Sequence, residues 1–298
     1  MREGRVSIVV LAIAAALIAA PAAQGAITVG SSLSAPIDSS IGGDITAFPI
    51  APPAGLTISP VVGTVVGGNV KQNTSITSGW GTVSLRVVHP VSGGQYQVLS
   101  AGQPNAVPSG IGTFPIAAHL SIAKGDIVAI QAAGSLARAI TTGATYLWDI
   151  TSSFPPGGPP STISNGFTDS ELLYNAQIDP SNAFTVGAST GGKKGKATVV
   201  VTVPNPGTVD AGSFNDGSLA VTAKKKKKKK KKKKAKPLLS RVTATAADAG
   251  QVTLTLTASK AGRKVLREKG KLKTTAKVVF TPTGGTAASQ SIPLKLKP

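Results

Sequence analysis

Val252-Thr253-Leu254-Thr255-Leu256-Thr257-Ala258 alternates apolar and hydroxyl side chains without a break. Successive side chains of a strand point to opposite faces, so Val252, Leu254, Leu256 and Ala258 share one face and the three threonines the other. The same period recurs where Ala197, Val199, Val201 and Val203 alternate with Thr198, Val200 and Thr202, and where Val83, Leu85 and Val87 alternate with Thr82, Ser84 and Arg86. The pattern predicts an all-β chain of antiparallel sheets, each burying one face.

After Val83–Val87, Gly93-Gly94 makes a turn into Tyr96 and Val98, which predicts a hairpin. Leu120 and Ile122 lead through Lys124-Gly125-Asp126 into Ile127–Ile130, a second predicted turn-linked pair. Tyr146, Trp148 and Ile150 alternate in a third strand and share a face, as core residues would. Phe154–Pro160 reads Phe-Pro-Pro-Gly-Gly-Pro-Pro; proline lacks the ladder donor, so a stiff surface loop is expected before a last strand, Glu171–Ile178. Short strands punctuated by Gly, Pro, Ser and Asn read as an antiparallel sandwich or jelly roll over residues 26–180.

Asp179-Pro180-Ser181-Asn182 is the expected boundary to a second β domain over residues 182–298. Lys260–Lys269 is its one predicted helix: Ser259 can cap it, Ala261 and Val265 lie i,i+4, cations fill its last turn, and Gly270 ends it. Leu272–Phe280 follows as a strand, Pro282-Thr283-Gly284-Gly285 as a turn, and Ile292–Leu296 as the closing strand. Phe184, Phe214 and Phe280 are the only aromatic residues there, so its core is expected to be Val, Leu, Ile and Ala.

The chain has 298 residues, enough for two domains. Arg2 and Arg5 precede an apolar run, Ile8 to Ala20, and Ala23-Gln24-Gly25 has the small-x-small cleavage pattern. This predicts a signal peptide over residues 1–25, cleaved before Ala26. The run is shorter than the roughly 20 residues of a membrane span, and no cysteine is present to carry a lipid. A secreted mature chain without a transmembrane segment, extracellular or associated with the cell wall, is the expectation. The lack of cysteine also excludes disulfides, thiolate nucleophiles and Cys-based metal sites.

The net charge of +20 is unevenly spread: residues 26–180 carry −3 and residues 237–298 carry +9. Between them lie Lys224, Lys225, Lys226, Lys227, Lys228, Lys229, Lys230, Lys231, Lys232, Lys233 and Lys234, then Ala235 and Lys236. Like charges repel and the run has no apolar face, so it is expected as a disordered polylysine loop over residues 223–237, interrupting the second domain. With Arg263, Lys264 and Arg267 of the predicted helix it forms a candidate site for anionic polymers: teichoic acid, anionic lipid surfaces or extracellular nucleic acid. Such binding is blind to sequence and steep in salt, because each lysine releases counterions from a phosphate. A simple repeat expanded within a tolerant loop is the competing explanation, and composition alone favours it. No ring lies between Phe214 and Phe280 to stack bases, so a sequence-specific nucleic-acid partner is not expected.

Catalytic patterns are near misses. Gly187-Ala188-Ser189-Thr190-Gly191 matches a nucleophile elbow by letter, yet both histidines, His89 and His119, precede Ser189 and a strand pattern follows instead of a helix. Gly187 to Lys193 nearly spells a phosphate loop, but Lys194 stands where Ser or Thr would hold magnesium. Two histidines without cysteine make a poor metal set, so no metal or cofactor is expected. Asp126 and Asp216 sit in turn contexts, and only Glu171 and Glu268 remain as mature-chain glutamates, a thin supply for paired-carboxylate hydrolysis. Asn73-Thr74-Ser75 fits a glycosylation sequon, relevant only in a eukaryotic secretory host. For sugar binding the candidates are Trp80, between Gly79 and Gly81, and Phe154 in the proline loop, both expected to be exposed.

Ala261-Gly262-Arg263-x-Val265-Leu266-x-x-Lys269-Gly270-Lys271-Leu272, followed by Val278-x-Phe280-Thr281-Pro282-Thr283-Gly284-Gly285, resembles the end of an immunoglobulin-like module in secreted two-module β proteins of high-GC soil bacteria. Lys193 to Gly207, with Thr202-Val203-Pro204-x-Pro206-Gly207, is similar to the preceding part of that module. Leu85-Arg86-Val87 to Tyr96, Ala123-Lys124-Gly125-Asp126 and Glu171-Leu172-Leu173-Tyr174-Asn175-Ala176 resemble the jelly-roll-like N-terminal domain of the same class. The resemblance covers most of the mature chain, rests on turns and a helix end, and implies export without naming an activity. The lysine run departs from it. The expected architecture is therefore two β-sandwiches, jelly-roll-like and then immunoglobulin-like with one short helix. The expected function is a secreted, non-enzymatic structural or adhesive envelope protein, with a carbohydrate-binding module as the alternative.

Overall fold

The computed structural model describes residues 26–51, 55–73, 81–108, 110–187, 190–191, 194–213 and 236–298. The first part of the chain runs through β1 (Ile27–Gly30), β2 (Ser39–Ala51), β3 (Gly63–Asn73), β4 (Thr82–Val91), β5 (Gln95–Ala101), β6 (Asn105–Ala106), β7 (Ile111–Ile122), β8 (Ile127–Ile150), β9 (Ser161–Thr162), β10 (Gly166–Leu172) and β11 (Tyr174–Pro180). One sheet has the order β1-β11-β3-β7; in the other, β8 pairs with β4, β4 with β5 and β5 with β9, while β2 and β10 also lie on β8 and β6 on β4. Strands close in sequence thus fall in opposite sheets, β1 and β3 against β2 and β4, which is the interleaved order of a jelly roll. Val65, Val70, Ile116 and Ile178 of the first sheet meet Leu85, Val87, Ile130 and Tyr146 of the second to form the core.

The hairpin at Gly93-Gly94 is present: β4 and β5 are antiparallel, and both glycines have positive φ. Two other strand expectations change. The turn at residues 123–126 does not join paired neighbours; β7 lies on β3 and β8 on β4, so the turn carries the chain from one sheet to the other. Asp126 holds that crossing, its buried carboxylate accepting from the Ala123 N–H at 2.9 Å. Glu171–Ile178 likewise divides into β10 and β11 in opposite sheets. Leu173 is the corner between them: its N–H donates to Ala137 of β8, and its carbonyl accepts from Lys71 of β3. Of the predicted core face, Tyr146 is buried and Trp148 packs against the core, but Ile150, at the strand end, is exposed.

Phe154 also corrects an expectation. The proline loop does not stand out from the surface but folds back over the outer side of β4, β5 and β8, where Phe154 packs with Phe48, Val88, Val98, Ile127 and Ile163 in a second small core. Arg86, buried on this outer side, pins the loop: Nη1 donates to the Phe154 carbonyl at 2.8 Å, while Nε and Nη2 both donate to Gln131 Oε1. Burial lowers the Arg86 pKa, an effect partly offset by the charge of Asp44. Gly157 N–H adds a bond to Val98 and Gln97 one to Gly158.

The second part comprises β12 (Thr185–Val186), β13 (Thr190–Gly191), β14 (Lys196–Val203), β15 (Gly207–Gly212), β16 (Val242–Ala246), β17 (Gly250–Thr257), α1 (Lys260–Lys269), β18 (Leu272–Pro282) and β19 (Ala288–Leu296). One sheet has β14 between β17 and the short strands β12 and β13; the other is ordered β16-β15-β18-β19, as in an immunoglobulin-like sandwich. The core is aliphatic apart from Phe184 and Phe280, which meet edge to face at 6.1 Å. The helix has the expected limits: Ser259 Oγ accepts from the Gly262 N–H, and Gly270, at φ 65°, returns its N–H to Leu266.

Removing a buried aromatic side chain leaves a cavity at a cost of about 3–5 kcal/mol. Phe154→Ala is therefore expected to lower stability by roughly 3 kcal/mol in urea titration; a change within about 0.5 kcal/mol, as for a surface residue, would contradict the folded-back loop.

Candidate anion-binding pole

Antiparallel pairing gathers one end of every strand of the second sandwich at a single pole. Lys196 at the start of β14 lies opposite Thr257 at the end of β17, Ala211 opposite Val242, and Leu272 opposite Leu296. The Gly195 N–H donates to the Lys297 carbonyl and its carbonyl accepts from Ala258 N–H, tying the pole together. Lys194, Lys196, Lys236, Arg241, the five cations of α1, Lys271, Lys273, Lys295 and Lys297 all belong to this end. Its described side-chain carboxylates are Asp210 and Glu268, already engaged by Arg241 and Lys264.

The opposite pole faces the first sandwich. Asn205, buried between Pro204 and Pro206 in the β14–β15 turn, accepts from Val62 N–H and donates to the carbonyls of Val62 and Ser181, each at 2.8 Å. Thr283 N–H donates to Pro206, and Asn182 donates to Thr286. The charge at this end is Asp248, 3.4 Å from Lys124 of the first sandwich.

Of the candidates read from the sequence, Arg263 and Arg267 come together: with Lys194, Gly195, Lys260, Leu266 and Pro298 they line a cavity of about 560 Å³. Lys264 lies outside that lining and approaches Glu268 at 3.8 Å. Lys236 is exposed, and the chain beyond it re-enters the fold against α1: Ser259 Oγ donates to the Pro237 carbonyl and Ser259 N–H to Leu238. Leu239 N–H donates to Ser213 Oγ at 3.1 Å, so residues 213 and 239 form a closed neck. Lys224, Lys225, Lys226, Lys227, Lys228, Lys229, Lys230, Lys231, Lys232, Lys233 and Lys234 lie outside the described residues, joined to the pole through that neck.

Lys194, Lys260, Lys273 and Lys295 escaped the sequence reading. Lys260 was legible as i−3 from Arg263. Lys273 and Lys295 become neighbours only through the register of β18 and β19, directly opposite each other beside a cleft of about 430 Å³. Lys194 is brought to α1 by a turn in which both it and Gly195 adopt positive φ, with Gly195 so near Leu266 that a Cβ there would lie 3.0 Å from its side chain.

The sugar-binding candidates fare differently. Phe154 is buried, and Trp80 lies outside the described residues. Phe167 is partly exposed, but Arg138 stacks 4.5 Å from its centroid and Tyr146 lies at 5.5 Å. The nucleophile-like Ser189 and turn Asp216 also lie outside the described residues. His89 Nδ1 is 2.7 Å from the buried Asp126 carboxylate, and His119 is exposed on β7. Among the described residues no three His, Asp or Glu side chains gather as a metal site, and no helix is long and apolar enough to cross a membrane. In comparisons with known proteins, the chain matches no family model, no curated protein and no solved structure.

Asp210 anchors the rim of the pole. Burial alone would raise its pKa, but hydrogen bonds from Arg241 and Thr243 and the Arg241 charge outweigh it and hold the carboxyl below its ordinary range. A carboxylate depressed on folding adds stability above its unfolded pKa of about 3.9 and loses it as pH falls through the folded value. Asp210→Asn is thus expected to lower the urea midpoint at neutral pH and to leave it unchanged in acid below the folded pKa; an equal loss at both would contradict this ion pair.

Proposed function

We propose that this chain is a secreted, non-enzymatic structural or adhesive protein of the cell envelope that associates with anionic polymers through the polylysine segment and the basic pole beneath it. The observation that supports this reading is the separation of charge along the second sandwich. Cations collect at the pole facing away from the first sandwich, the same pole to which the lysine run is joined at Ser213 and Leu239. An expanded repeat in a tolerant loop predicts no relation between the run and the surface that carries it. Here the carbonyls of Pro237 and Leu238, next to Lys236, accept from Ser259 at the cap of α1, so the chain that follows the run packs against the helix that carries the folded cations.

Placement of the helix cations supports the same reading. Lys260, Arg263 and Lys264 lie in the first turns of α1, where the helix dipole disfavours positive charge. Arg263 and Arg267 are an i,i+4 like-charge pair, costing about 0.2–0.5 kcal/mol. Lys273 opposite Lys295 is the corresponding unfavourable pair in the sheet. A bound polyanion relieves each of these repulsions. The first sandwich, mildly acidic and docked at the other pole, acts as the body that the basic pole anchors.

Replacing Lys224–Lys234 by an equal length of Gly and Ser is expected to move elution from phosphate-bearing cell-wall polymer and from heparin to markedly lower salt. It should also flatten the dependence of log K on log salt, whose slope is about −0.7 to −0.9 per phosphate neutralised. Unchanged retention across the salt series would overturn the proposal.

A further inference from the structure

We infer that the cavity between α1 and the Lys194-Gly195 turn is a discrete site for a sugar residue carrying a phosphate or sulfate ester, and so recognises one repeat of the anionic polymer instead of its charge alone. The inference rests on the proposed association with anionic polymers and names what the folded part of that pole selects. Lys260, Arg263 and Arg267 occupy positions i, i+3 and i+7 of α1, a single stripe along the helix, and Lys194 faces them from the turn. Among the described residues none of the four has a carboxylate within salt-bridge distance, whereas Lys264, one residue away, does. Lys196, Lys269, Lys271, Lys273, Lys295 and Lys297 likewise have no described carboxylate within that distance, but they lie outside the lining; what sets the four apart is that they converge on one cavity.

The guanidinium groups present planar forks suited to bidentate contact with a tetrahedral oxyanion, and their charge-assisted bonds strengthen where solvent is partly excluded. At about 560 Å³ the cavity has ample room for more than a lone tetrahedral anion, within the range of roughly 300–1,000 Å³ typical of ligand sites. Leu266, buried at its base, provides an apolar wall among the cations. An apolar wall lacks use for a bare ion but suits the C–H face of a pyranose. The turn is committed to this shape: Lys194 has φ 60°, an unfavourable conformation for a side-chain-bearing residue, and Gly195 leaves no space beside Leu266.

The test uses the full mature chain carrying the Gly/Ser replacement of Lys224–Lys234, so that the run contributes nothing. Glucose 6-phosphate and glucose 6-sulfate are titrated with glucose and inorganic phosphate as controls, following amide shifts of Gly195 and Leu266. At least one of the two esters should bind saturably, and whichever binds more tightly identifies the polymer's anion; glucose should not bind, and inorganic phosphate should bind more weakly. Arg263→Gln and Arg267→Gln should each weaken ester binding about tenfold, the scale of a lost charge-assisted bond, while Lys124→Gln, removing the same charge at the opposite pole beside Asp248, should leave it unchanged. Equal losses in all three variants, or inorganic phosphate binding as well as the esters, would overturn the inference, as would the absence of saturable binding. If salt-dependent polymer retention by the unmodified chain persists beside such a result, the cavity assignment alone falls; if retention itself is insensitive to the run, the broader reading falls first.

Discussion

The arrangement depends on one side-chain amide. Asn205 is held between two prolines in the tight turn joining β14 to β15, and its carboxamide bonds the Val62 N–H and carbonyl of the first sandwich and the Ser181 carbonyl of the connecting segment. A buried amide must find such partners, because each unpaired polar atom would cost about 1–3 kcal/mol. The flanking prolines limit the backbone beside it, and Thr283 closes on Pro206 from the neighbouring loop. Docking that end of the second sandwich leaves the other end free, and antiparallel pairing then decides which residues are found there.

Charge follows from this polarity. β14, which begins at Lys196, and β18, whose first residue is flanked by Lys271 and Lys273, run away from the free pole, and β19 runs toward it, with Lys295 in its last two residues and Lys297 just after it. Alternate residues of β18 and β19 turn outward, so Lys273 and Lys295 stand opposite each other while Leu272 and Leu296 are buried beneath. The interior gains from the aliphatic half of each strand, and the repulsion on the outer half is the cost. Few acidic residues offset it: Asp210 serves Arg241 and Glu268 serves Lys264, leaving the stripe of α1 that faces Lys194, like Lys273 and Lys295, without a carboxylate partner among the described residues.

Much of this was legible in the sequence, for physical reasons that also mark where legibility ends. The alternation at Val252–Ala258, the Ser259 cap and the Gly270 stop are local signals, and each element lies where they place it. The turn at residues 123–126 misled because a turn fixes chain reversal but not which sheet receives the next strand, and the corner at Leu173 escaped because no Gly or Pro marks it within the apparent strand Glu171–Ile178. That choice belongs to tertiary pairing, as Leu173 illustrates by bonding one strand from each sheet. Phe154 misled for a related reason: proline excludes its loop from a ladder, yet nothing prevents the loop from covering one, and the buried Arg86 draws it down. At the basic pole, Arg263 and Arg267 were visible as helix neighbours, while Lys194 and the Lys273–Lys295 pair required a turn conformation and a strand register that no local pattern encodes.

The central claim is that the pole opposite Asn205 is the surface that meets a polyanion. Its most direct test is an amide chemical-shift or hydrogen-exchange footprint of the protein with a soluble polyphosphate at moderate salt. The account predicts perturbation at Lys194–Lys196, through α1, and at the lysine-bearing ends of β18 and β19, with the first sandwich and the Asn205 turn unchanged. A footprint centred on the first sandwich, or spread evenly over both, would contradict it.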